Sequence, residues 1–497
     1  MRRVAHIWRT TDRAKEGAGQ AGAVLRLWLY GAGMLVPLIL FARRYPLAPN
    51  RYTLTDIGKL ANYARPEFVG FVGGMTIMFG CYLLALHESR RVAPKQAMPA
   101  IFGCGAFMAV VMYWMYPVNA IDVFLYAVRS RVFTTYGANP SAVPFSQYPG
   151  DPWMAYITPE WVGHVSHYGP LWKLIAAPIT ALAGDRIVVA LVGFKILMVL
   201  GFMAGGWIIA RTLAAAGAAN SATGALLYLW NPLVVWEGIG NGHNDVLLAL
   251  ALLLTLYAWV VRRDRWVIPL LVMAALIKYV SLPLIPLAAI ALWRRAENRS
   301  VRAPLLLSSA LLSALAIIIS LYPFYDLQAI LSSIREQGTI FYTSPAAAAI
   351  ALLNDRYPVD TLSRAATWAG RVLLLFALVW QALVLWRRPE RLPRACFEVL
   401  FVLLLVAIAS ARSWYLIWLV GIAALLPWGW PAWRAILWSA GALASYGLLI
   451  WVEAWWQPGY DMIQIVVVPL ILGGTLLATL AELVVHMHRR RRAEYAP

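Results

Sequence analysis

Three polar side chains in the segment YPVNAIDVFLYAVRSR could carry out acid–base chemistry at the end of an apolar stretch. Asp122 follows an apolar run, and Tyr126 and Arg129 come four and seven residues later. On an α-helix this spacing places all three side chains on one face. The pattern fits a general base with polar neighbours. It also fits a helix cap, because an Asp near a helix start accepts hydrogen bonds from backbone N–H groups.

A second polar cluster, GIGNGHND at residues 238–245, lies directly between two apolar runs. It contains Asn241, His243, Asn244 and Asp245, so amide and ionisable groups meet at the boundary of a predicted membrane span. Asn244 or Asp245 could begin the next helix as a cap. Capping does not account for His243 and Asn241, which remain candidates for binding a polar substrate.

Two cations lie in otherwise apolar segments. Lys278, in AALIKYVSLPLIP, is thirteen residues from Arg265, which corresponds to roughly 20 Å of helix. An ionisable residue at that depth is a functional candidate, although a lysine that extends its amine toward the lipid headgroups is the alternative. Arg412 begins RSWYLIWL, where Trp414 and Tyr415 also fit an aromatic belt at the membrane interface. The two cations predict a site for an anion such as phosphate.

The composition indicates that helices in a membrane must position these groups. Of the 497 residues, 61% are hydrophobic and 13% are charged, whereas soluble domains have about 25% charged residues. Many apolar runs reach about 18 residues, which is enough to cross a bilayer. We expect an all-α polytopic protein with a single transmembrane domain over residues 1–497. Twelve spans are predicted, at 22–42, 67–87, 99–118, 187–210, 222–237, 246–262, 303–323, 365–386, 396–411, 413–428, 433–452 and 462–485.

The net charge of +19 is concentrated in short clusters between the spans. This is the positive-inside pattern of membrane proteins, so we expect no nucleic-acid partner. It predicts a bacterial inner-membrane protein with both termini in the cytoplasm and its polar clusters outside. The loop at 43–66 is basic although it should be external, so the first two spans are the least constrained. Outside the spans we expect a cytoplasmic segment at 1–21, an external loop with a juxtamembrane helix at 119–186, an external loop at 324–364 and a basic cytoplasmic tail at 486–497.

Two further apolar segments do not fit this alternation as full crossings. Residues 167–183 would place every later basic cluster outside if they crossed the membrane, so a helix at the outer surface is expected. Residues 266–293 have basic residues at both ends and are interrupted by Lys278, Pro283 and Pro286. They are predicted to form a re-entrant pair of helices that turns near Lys278, where irregular backbone must be buried or line a cavity.

The order of these elements resembles the polytopic GT-C glycosyltransferases that use polyprenyl-phosphate sugars. The sequence is most similar to the bacterial branch that includes polyprenol-phosphomannose-dependent α-1,6-mannosyltransferases. In that branch the elements read roughly DxxxY, YPPL, GHND, KYxPLLLLP and PWYLxWL. This sequence has Gly169 where a second Pro is usual, and Arg412-Ser413 where a Pro is common before Trp-Tyr. These departures bear on the identity of the sugar and leave the class unchanged.

The resemblance implies inverting transfer of a sugar, with a mannose-like hexose favoured, from a polyprenyl-phosphate donor on the outer face. The matching catalytic carboxylate is Asp122. Lys278, Arg412 and His243 are expected to hold the donor phosphate. The residues expected to contact sugar or acceptor are Tyr126, Arg129, Tyr168, Asn241, Asn244, Asp245, Tyr279, Trp414 and Tyr415. The expected partners are membrane lipid, the lipid-linked donor and a glycan, lipid or protein acceptor. No cofactor and no metal is expected.

Two other functions use similar parts. A secondary transporter or a flippase for lipid-linked sugars would place polar sites on broken helices, usually within inverted repeats. A glycan polymerase or ligase would share the lipid-linked donor. A single outer cavity holding Asp122, His243 and Lys278 would favour sugar transfer, whereas a pseudo-twofold axis would favour transport.

Overall fold

The computed structural model describes residues 18–296, 298–337 and 341–494, which are helical apart from short connections and two isolated β-bridges. Most of the predicted segment at 1–21 and the last three residues of the predicted tail lie outside the described residues. The α-helices are α1 (Ala18–Arg44), α2 (Leu47–Asn50), α3 (Ile57–Leu60), α4 (Arg65–Glu88), α5 (Pro94–Tyr113), α6 (Asp122–Thr134), α7 (Pro159–Val162), α8 (Pro170–Ala183), α9 (Ile187–Ala215), α10 (Ser221–Leu229), α11 (Asp245–Val260), α12 (Val267–Ile277), α13 (Leu284–Arg295), α14 (Arg299–Leu321), α15 (Leu327–Gln337), α16 (Pro345–Leu353), α17 (Val359–Arg387), α18 (Leu392–Val402), α19 (Leu416–Ala423), α20 (Trp430–Tyr446), α21 (Glu453–Trp456) and α22 (Tyr460–Glu494).

Shorter helical turns connect several of these helices. Three have π-helical hydrogen bonding, at Val234–Gly240, Leu403–Ala407 and Gly447–Val452. The 3-10 turns are Phe145–Gln147, Pro152–Tyr156, Asp264–Trp266, Tyr279–Ser281, Tyr322–Phe324, Pro389–Arg391 and Ser413–Tyr415. π-Helical turns inside α-helices are frequent at functional sites, and the first two of them lie next to the predicted polar clusters.

Eight helices in the described part of the chain are long and apolar enough to cross a membrane. They are α1, α4, α5, α9, α14, α17, the stretch from α20 to α21, and α22, and each coincides with a predicted span. The protein is therefore an all-helical, multi-pass membrane protein. If the π-helix Val234–Gly240 and α11 together count as one bent span, length and composition support up to nine spans among the described residues.

The other four predicted spans are occupied by shorter helices. The π-helix Val234–Gly240 and α11 are bent by 118° relative to each other. The remaining short helices are α10, α18 and α19, which have 9, 11 and 8 residues. The prediction of twelve crossings therefore stays a prediction.

The middle of the chain forms the centre of the bundle. All residues from 221 to 249 are buried, including the polar ones. By contrast, α14 and α17 are largely exposed, with 17% and 11% of their most apolar windows buried. Since most of these exposed side chains are apolar, both helices face lipid.

The predicted interruption at Lys278 is confirmed. Helix α12 ends at Ile277, Lys278 has an extended backbone with φ −144° and ψ 128°, and α13 begins at Leu284 after Pro283. Proline has no backbone N–H group and cannot extend the preceding helix. The break projects Lys278 out of the line of both helices.

Candidate active site

Asp122 is the first residue of α6. The cap position belongs to Ile121, and the cap makes no side-chain hydrogen bond. Asp122 Oδ1 instead accepts a hydrogen bond of 2.7 Å from Tyr168 Oη. Its carboxylate therefore does not cap the helix, and the functional interpretation of Asp122 gains weight.

The surroundings of Asp122 favour its ionised form. Burial alone would raise the pKa of the Asp122 carboxyl. The charge of His243, the hydrogen bond from Tyr168 and the charge of Lys278 together outweigh burial, so the pKa lies below its ordinary value of 3.8. Burial, with the charge of Arg129, lowers the pKa of the neighbouring His167 to about 3. Near neutral pH an anionic Asp122 thus lies beside an uncharged His167.

Lys278 and Asp245 form a largely buried ion pair. Lys278 Nζ is 2.6 Å from Asp245 Oδ2, and Trp418 Nε1 donates to Asp245 Oδ1 at 2.6 Å. The Lys278 side chain is 12% exposed and that of Asp245 is 0% exposed. Both carboxylate oxygens of Asp245 are thus engaged by protein donors. The ammonium group of Lys278 has three donors, so it can bind a further acceptor.

Arg412 is held by a short pairing between two loops. Tyr342 and Ser410 form a parallel β-bridge, with hydrogen bonds from Tyr342 N to Ala409 O and from Ala411 N to Tyr342 O. The guanidinium carbon of Arg412 lies 5.0 Å from the centre of the Tyr342 ring. This pairing ties the segment that begins RSWY to the predicted external loop at 324–364.

One cavity of about 860 Å³ brings seven of the predicted site residues together. Its volume is typical of pockets for small molecules. The predicted residues on its wall are Asp122, Tyr168, Lys278, Tyr279, Arg412, Trp414 and Tyr415. Polar residues that were not predicted also line it, among them Asp56, Lys59, Asn119, Thr158 and Glu160. The wall therefore carries the predicted carboxylate Asp122, two further carboxylates, two predicted cations and several aromatic rings.

The other predicted residues lie behind this wall. They are buried and do not line the cavity, and they comprise Tyr126, Arg129, Asn241, His243, Asn244 and Asp245. Tyr126 Oη donates to Asn244 Oδ1 at 3.2 Å and accepts from the Asn244 backbone N–H at 3.2 Å. The side chain of Asn244 makes no cap bond on α11. The GHND segment thus supports the cavity wall through contacts with other protein groups.

Glu237 is a buried carboxylate next to GHND that sequence analysis did not select. Its Oε1 accepts from Tyr446 Oη at 2.7 Å, and its Oε2 accepts from Asn241 Nδ2 at 2.8 Å. His243 Nε2 lies 3.4 Å from the same Oε2, and both side chains are 0% exposed. A buried ionisable residue next to an apolar span is a functional candidate by position alone, and that signal was available in the sequence.

A stacked pair of rings connects this network to the cavity. The rings of His243 and Trp414 are 4.1 Å apart with an angle of 12° between their planes, and Trp414 lines the cavity. The buried network consists of Glu237, Asn241, His243 and Tyr446.

The bend between the π-helix and α11 depends on a glycine and a lysine. Gly242 has φ +77°, a conformation that side-chain-bearing residues rarely adopt. Lys195, inside α9 and 0% exposed, donates to the carbonyl oxygens of Met112 at 3.2 Å and Gly240 at 2.9 Å, and also to Met115 O. It satisfies carbonyls at the ends of α5 and the π-helix, where no intrahelical partner exists.

Gly169 explains one departure from the motif pattern. Its backbone N–H donates to Ile277 O at 3.0 Å, a bond that a proline could not make. A Cβ atom at Gly169 would lie 2.1 Å from Leu276 O. This close approach fixes the backbone of Gly169 against that of Ile277. Tyr168 and Lys278 are the residues next to these two in the sequence.

Among the described residues, no group of three or more His, Cys, Asp or Glu side chains is placed to hold a metal ion. The cations on the cavity wall are the side chains of Lys59, Lys278, Arg371 and Arg412.

The sequence matches a known protein family over its N-terminal half. The family profile for the alpha-(1->6)-mannopyranosyltransferase N-terminal domain matches residues 29–294, more than half of the 497 residues. The protein belongs to this mannosyltransferase family. The match includes Asp122, His243 and Lys278, whereas Arg412 and Trp414 lie beyond it.

Individual members of the family are similar over different lengths. The chain is 26% identical over 372 residues to alpha-(1->6)-mannopyranosyltransferase A of Mycobacterium tuberculosis, covering 68% of this chain and 69% of that protein. It is 29% identical over 141 residues to the A enzyme of Corynebacterium glutamicum and 31% identical over 146 residues to the B enzyme. Those two matches span only 28% and 24% of the relatives' lengths.

Proposed function

We propose that this protein transfers a mannosyl group from a polyprenyl-phosphate donor to an acceptor hydroxyl, with inversion at the anomeric carbon. The observation that carries the proposal is that Asp122, Lys278 and Arg412 line one cavity. Membership of the mannosyltransferase family supports the sugar. The names of the relatives favour an alpha-(1->6) linkage.

In this mechanism Asp122 is the general base. The acceptor hydroxyl gives its proton to the Asp122 carboxylate while its oxygen forms the new bond to the anomeric carbon. The bond from that carbon to the phosphate oxygen breaks, and its electron pair leaves with polyprenyl phosphate. A single displacement needs one base on the acceptor side, and the low pKa of Asp122 keeps that base ionised.

The leaving phosphate gains charge as the bond breaks. Lys278 and Arg412 provide positive charge at the cavity wall, and fixed cations near developing charge stabilise the transition state. Asp245 orients Lys278 through the 2.6 Å ion pair. We propose that these side chains supply the stabilisation without a divalent metal, so that a chelator leaves the rate unchanged.

The aromatic rings on the wall are suited to hold the sugar. Tyr168 donates a hydrogen bond to Asp122. Tyr279 follows Lys278 in the sequence, and the centre of the Tyr415 ring lies 5.3 Å from Lys278 Nζ. The buried residues of GHND and Tyr126 act through this wall. Asn241, Asn244 and His243 are positioning residues in this proposal, and none of them contacts the substrate.

We further propose that the cavity opens on the extracytoplasmic side of the inner membrane and that both termini are cytoplasmic. Helix α13 runs from the neighbourhood of Lys278 to Arg294 and Arg295, and Arg265 precedes α12. Because basic residues favour the cytoplasmic side, Lys278 lies toward the outside. Twelve crossings, with α12 and α13 as a re-entrant pair, fit this orientation.

The test is transfer by the purified full chain in detergent or lipid vesicles. The donors are polyprenyl-phosphate mannose and a nucleotide-activated mannose, each with an alpha-(1->6)-linked mannan oligosaccharide as acceptor. Product is expected from the lipid donor alone, and unchanged after chelation of divalent metals. Transfer from the nucleotide donor alone, or transport of the lipid donor across the vesicle membrane without transfer, would contradict the proposal.

A further inference from the structure

The cavity has a second, less polar end that none of the catalytic assignments uses. Besides Lys278 and Arg412, its wall includes residues of α16, of α17 and of the stretch 406–409, which spans the end of the π-helix Leu403–Ala407. The residues that line this end are Phe341, Ala346, Ala366, Thr367, Arg371, Val406, Ala407, Ile408 and Ala409. Most of them are small or apolar, so this end is suited to an apolar chain more than to a sugar.

Helix α17 separates this end of the cavity from lipid. Only Gly370 and Leu385 are buried along its length. A Cβ atom at Gly370 would lie 2.2 Å from Val406 O, so α17 touches the bundle backbone to backbone at that point. Ala366 and Thr367, one helical turn earlier, face the cavity. A thin, single-helix wall of small residues leaves little side-chain material between the cavity and the bilayer.

Arg371 is an unusual residue for this wall. It lines the cavity and is also exposed, with its guanidinium carbon 5.3 Å from the centre of the Trp368 ring. Its neighbours Val372, Leu375 and Phe376 are exposed and apolar. It precedes Arg387, at the basic end of α17, by sixteen residues, which places it about 24 Å along the helix from that end. Lys278 lies at a similar height above Arg265. An arginine at such depth is costly unless it faces a water-filled cavity or pairs with another group, and an anionic phosphate in the cavity would provide such a partner.

We propose that the isoprenoid chain of the donor leaves the cavity between α16 and α17, and that Arg371 binds the donor phosphate at this exit. The inference rests on the proposed function, because it assigns the lipid part of that donor. The exit is called the lateral portal, and it consists of Ala346, Ala366, Thr367, Arg371 and residues 406–409. The apolar end receives the chain, and three of the four cations that line the cavity, Lys278, Arg371 and Arg412, bind the phosphate.

This placement solves a physical problem of the reaction. The chain of a lipid-linked sugar stays in hydrocarbon because its transfer to water is unfavourable. The sugar, however, must reach Asp122 inside a protein cavity. A portal on the lipid-facing side lets the chain remain in the bilayer while the phosphate lies among the cations.

The test narrows the portal with Ala366→Trp in the full chain. Transfer is measured with a long-chain polyprenyl-phosphate mannose and with a water-soluble mannosyl phosphate that carries a short isoprenoid chain. The variant should raise KM for the long-chain donor about tenfold, a change expected for loss of one good contact, and leave KM for the short donor unchanged. Ala365→Trp is the matched control, because Ala365 is exposed on the same helix and does not line the cavity.

Arg371→Gln tests the phosphate contact. It should raise KM for both donors about tenfold, since a hydrogen bond to a charged group is removed. Arg364→Gln, on the same helix and outside the cavity wall, should change neither. Equal effects of Ala366→Trp on both donors, or no effect on either, would overturn the portal. So would an Arg371→Gln variant with normal kinetics.

A binding experiment separates this inference from the proposed reaction. A polyprenyl phosphate without sugar, carrying a photoreactive group on its chain, is cross-linked to the wild-type protein and to Ala366→Trp. Labelled peptides from α16, α17 or 403–409, lost in Ala366→Trp and kept in Ala365→Trp, support the portal even if no mannose is transferred. Labelling on other helices overturns the portal even if transfer occurs.

Discussion

The cavity wall and the buried network use the same kinds of residue in different ways. Glu237 in the buried network and Asp245, which follows His243 and Asn244 in sequence, are 0% exposed, and each has both carboxylate oxygens hydrogen-bonded by protein donors. Asp122 is half-buried and presents its carboxylate to the cavity. A buried carboxylate must have its acceptors satisfied, whereas a catalytic base must remain available to substrate. The comparison separates carboxylates that hold the site from the one that can react.

The largest effect is expected at the cavity wall. Asp122→Asn removes the proposed base and should lower kcat by about 10²–10⁴-fold, while the protein folds and binds the lipid donor normally. Asp56→Asn is the matched control, because Asp56 lines the same cavity but caps α3 through the Lys59 backbone N–H. Turnover is measured beside donor binding. A normal Asp122→Asn enzyme would remove the distinction drawn between wall and network.

The second largest effect is expected for the ion pair between Lys278 on the cavity wall and the buried Asp245. Lys278→Met leaves the Asp245 charge buried without its partner, a change that costs about 3–5 kcal/mol. The double variant Lys278→Met/Asp245→Asn should recover most of that stability and still transfer poorly, because the phosphate has lost a cation. Unfolding in detergent and donor KM are measured on both variants. Recovery of full activity in the double variant would leave Lys278 a structural role only.

A smaller effect is expected within the buried network. Glu237→Gln removes the charge beside His243 and weakens the bonds to Tyr446 and Asn241, each of which is charge-assisted and worth about 1.5–3 kcal/mol. Stability should fall by about that amount, and kcat should fall less than in Asp122→Asn. A Glu237→Gln enzyme with normal stability and a kcat as low as that of Asp122→Asn would assign Glu237 to the chemistry.

The smallest effect concerns the hydrogen bond to Asp122. Tyr168→Phe removes a donor to the carboxylate, so the pKa of Asp122 should rise. In the wild type the pKa of Asp122 lies below the ordinary value of an Asp carboxyl, so the base stays ionised below that value and kcat/KM should be lost only in strong acid. In Tyr168→Phe the acidic limb of the kcat/KM against pH profile should move to higher pH. Turnover at neutral pH should fall about fivefold, because one hydrogen bond is lost.

Tyr279→Phe provides the control for that pH profile, since Tyr279 also lines the cavity. Its acidic limb should coincide with that of the wild type. An unchanged limb in Tyr168→Phe would mean that another group, and not Asp122, titrates in the profile.

Much of the site could be recognised from sequence because the polar residues interrupt apolar spans. Asp122, Lys278 and Arg412 each stand out against apolar neighbours, and all three line the cavity. Exposure could not be inferred in the same way. His243 was expected to hold the donor phosphate and Asn244 to contact sugar or acceptor. Both are 0% exposed, because the bend after Gly240 turns GHND toward the interior. Glu237 also interrupts an apolar run, so the same signal was present for it, but its role depends on contacts with Tyr446 and Asn241 that only the structure shows.

The sequence by itself determined the helical membrane class, the break at Lys278 and the residue types needed for sugar transfer, because hydrophobic run length and proline act locally along the chain. The tertiary structure alone decided which polar groups face the cavity. Tyr168 reaches Asp122 across 46 residues, and Trp418 reaches Asp245 across 173. Such pairings depend on how helices distant in sequence pack against each other, and no local pattern encodes them.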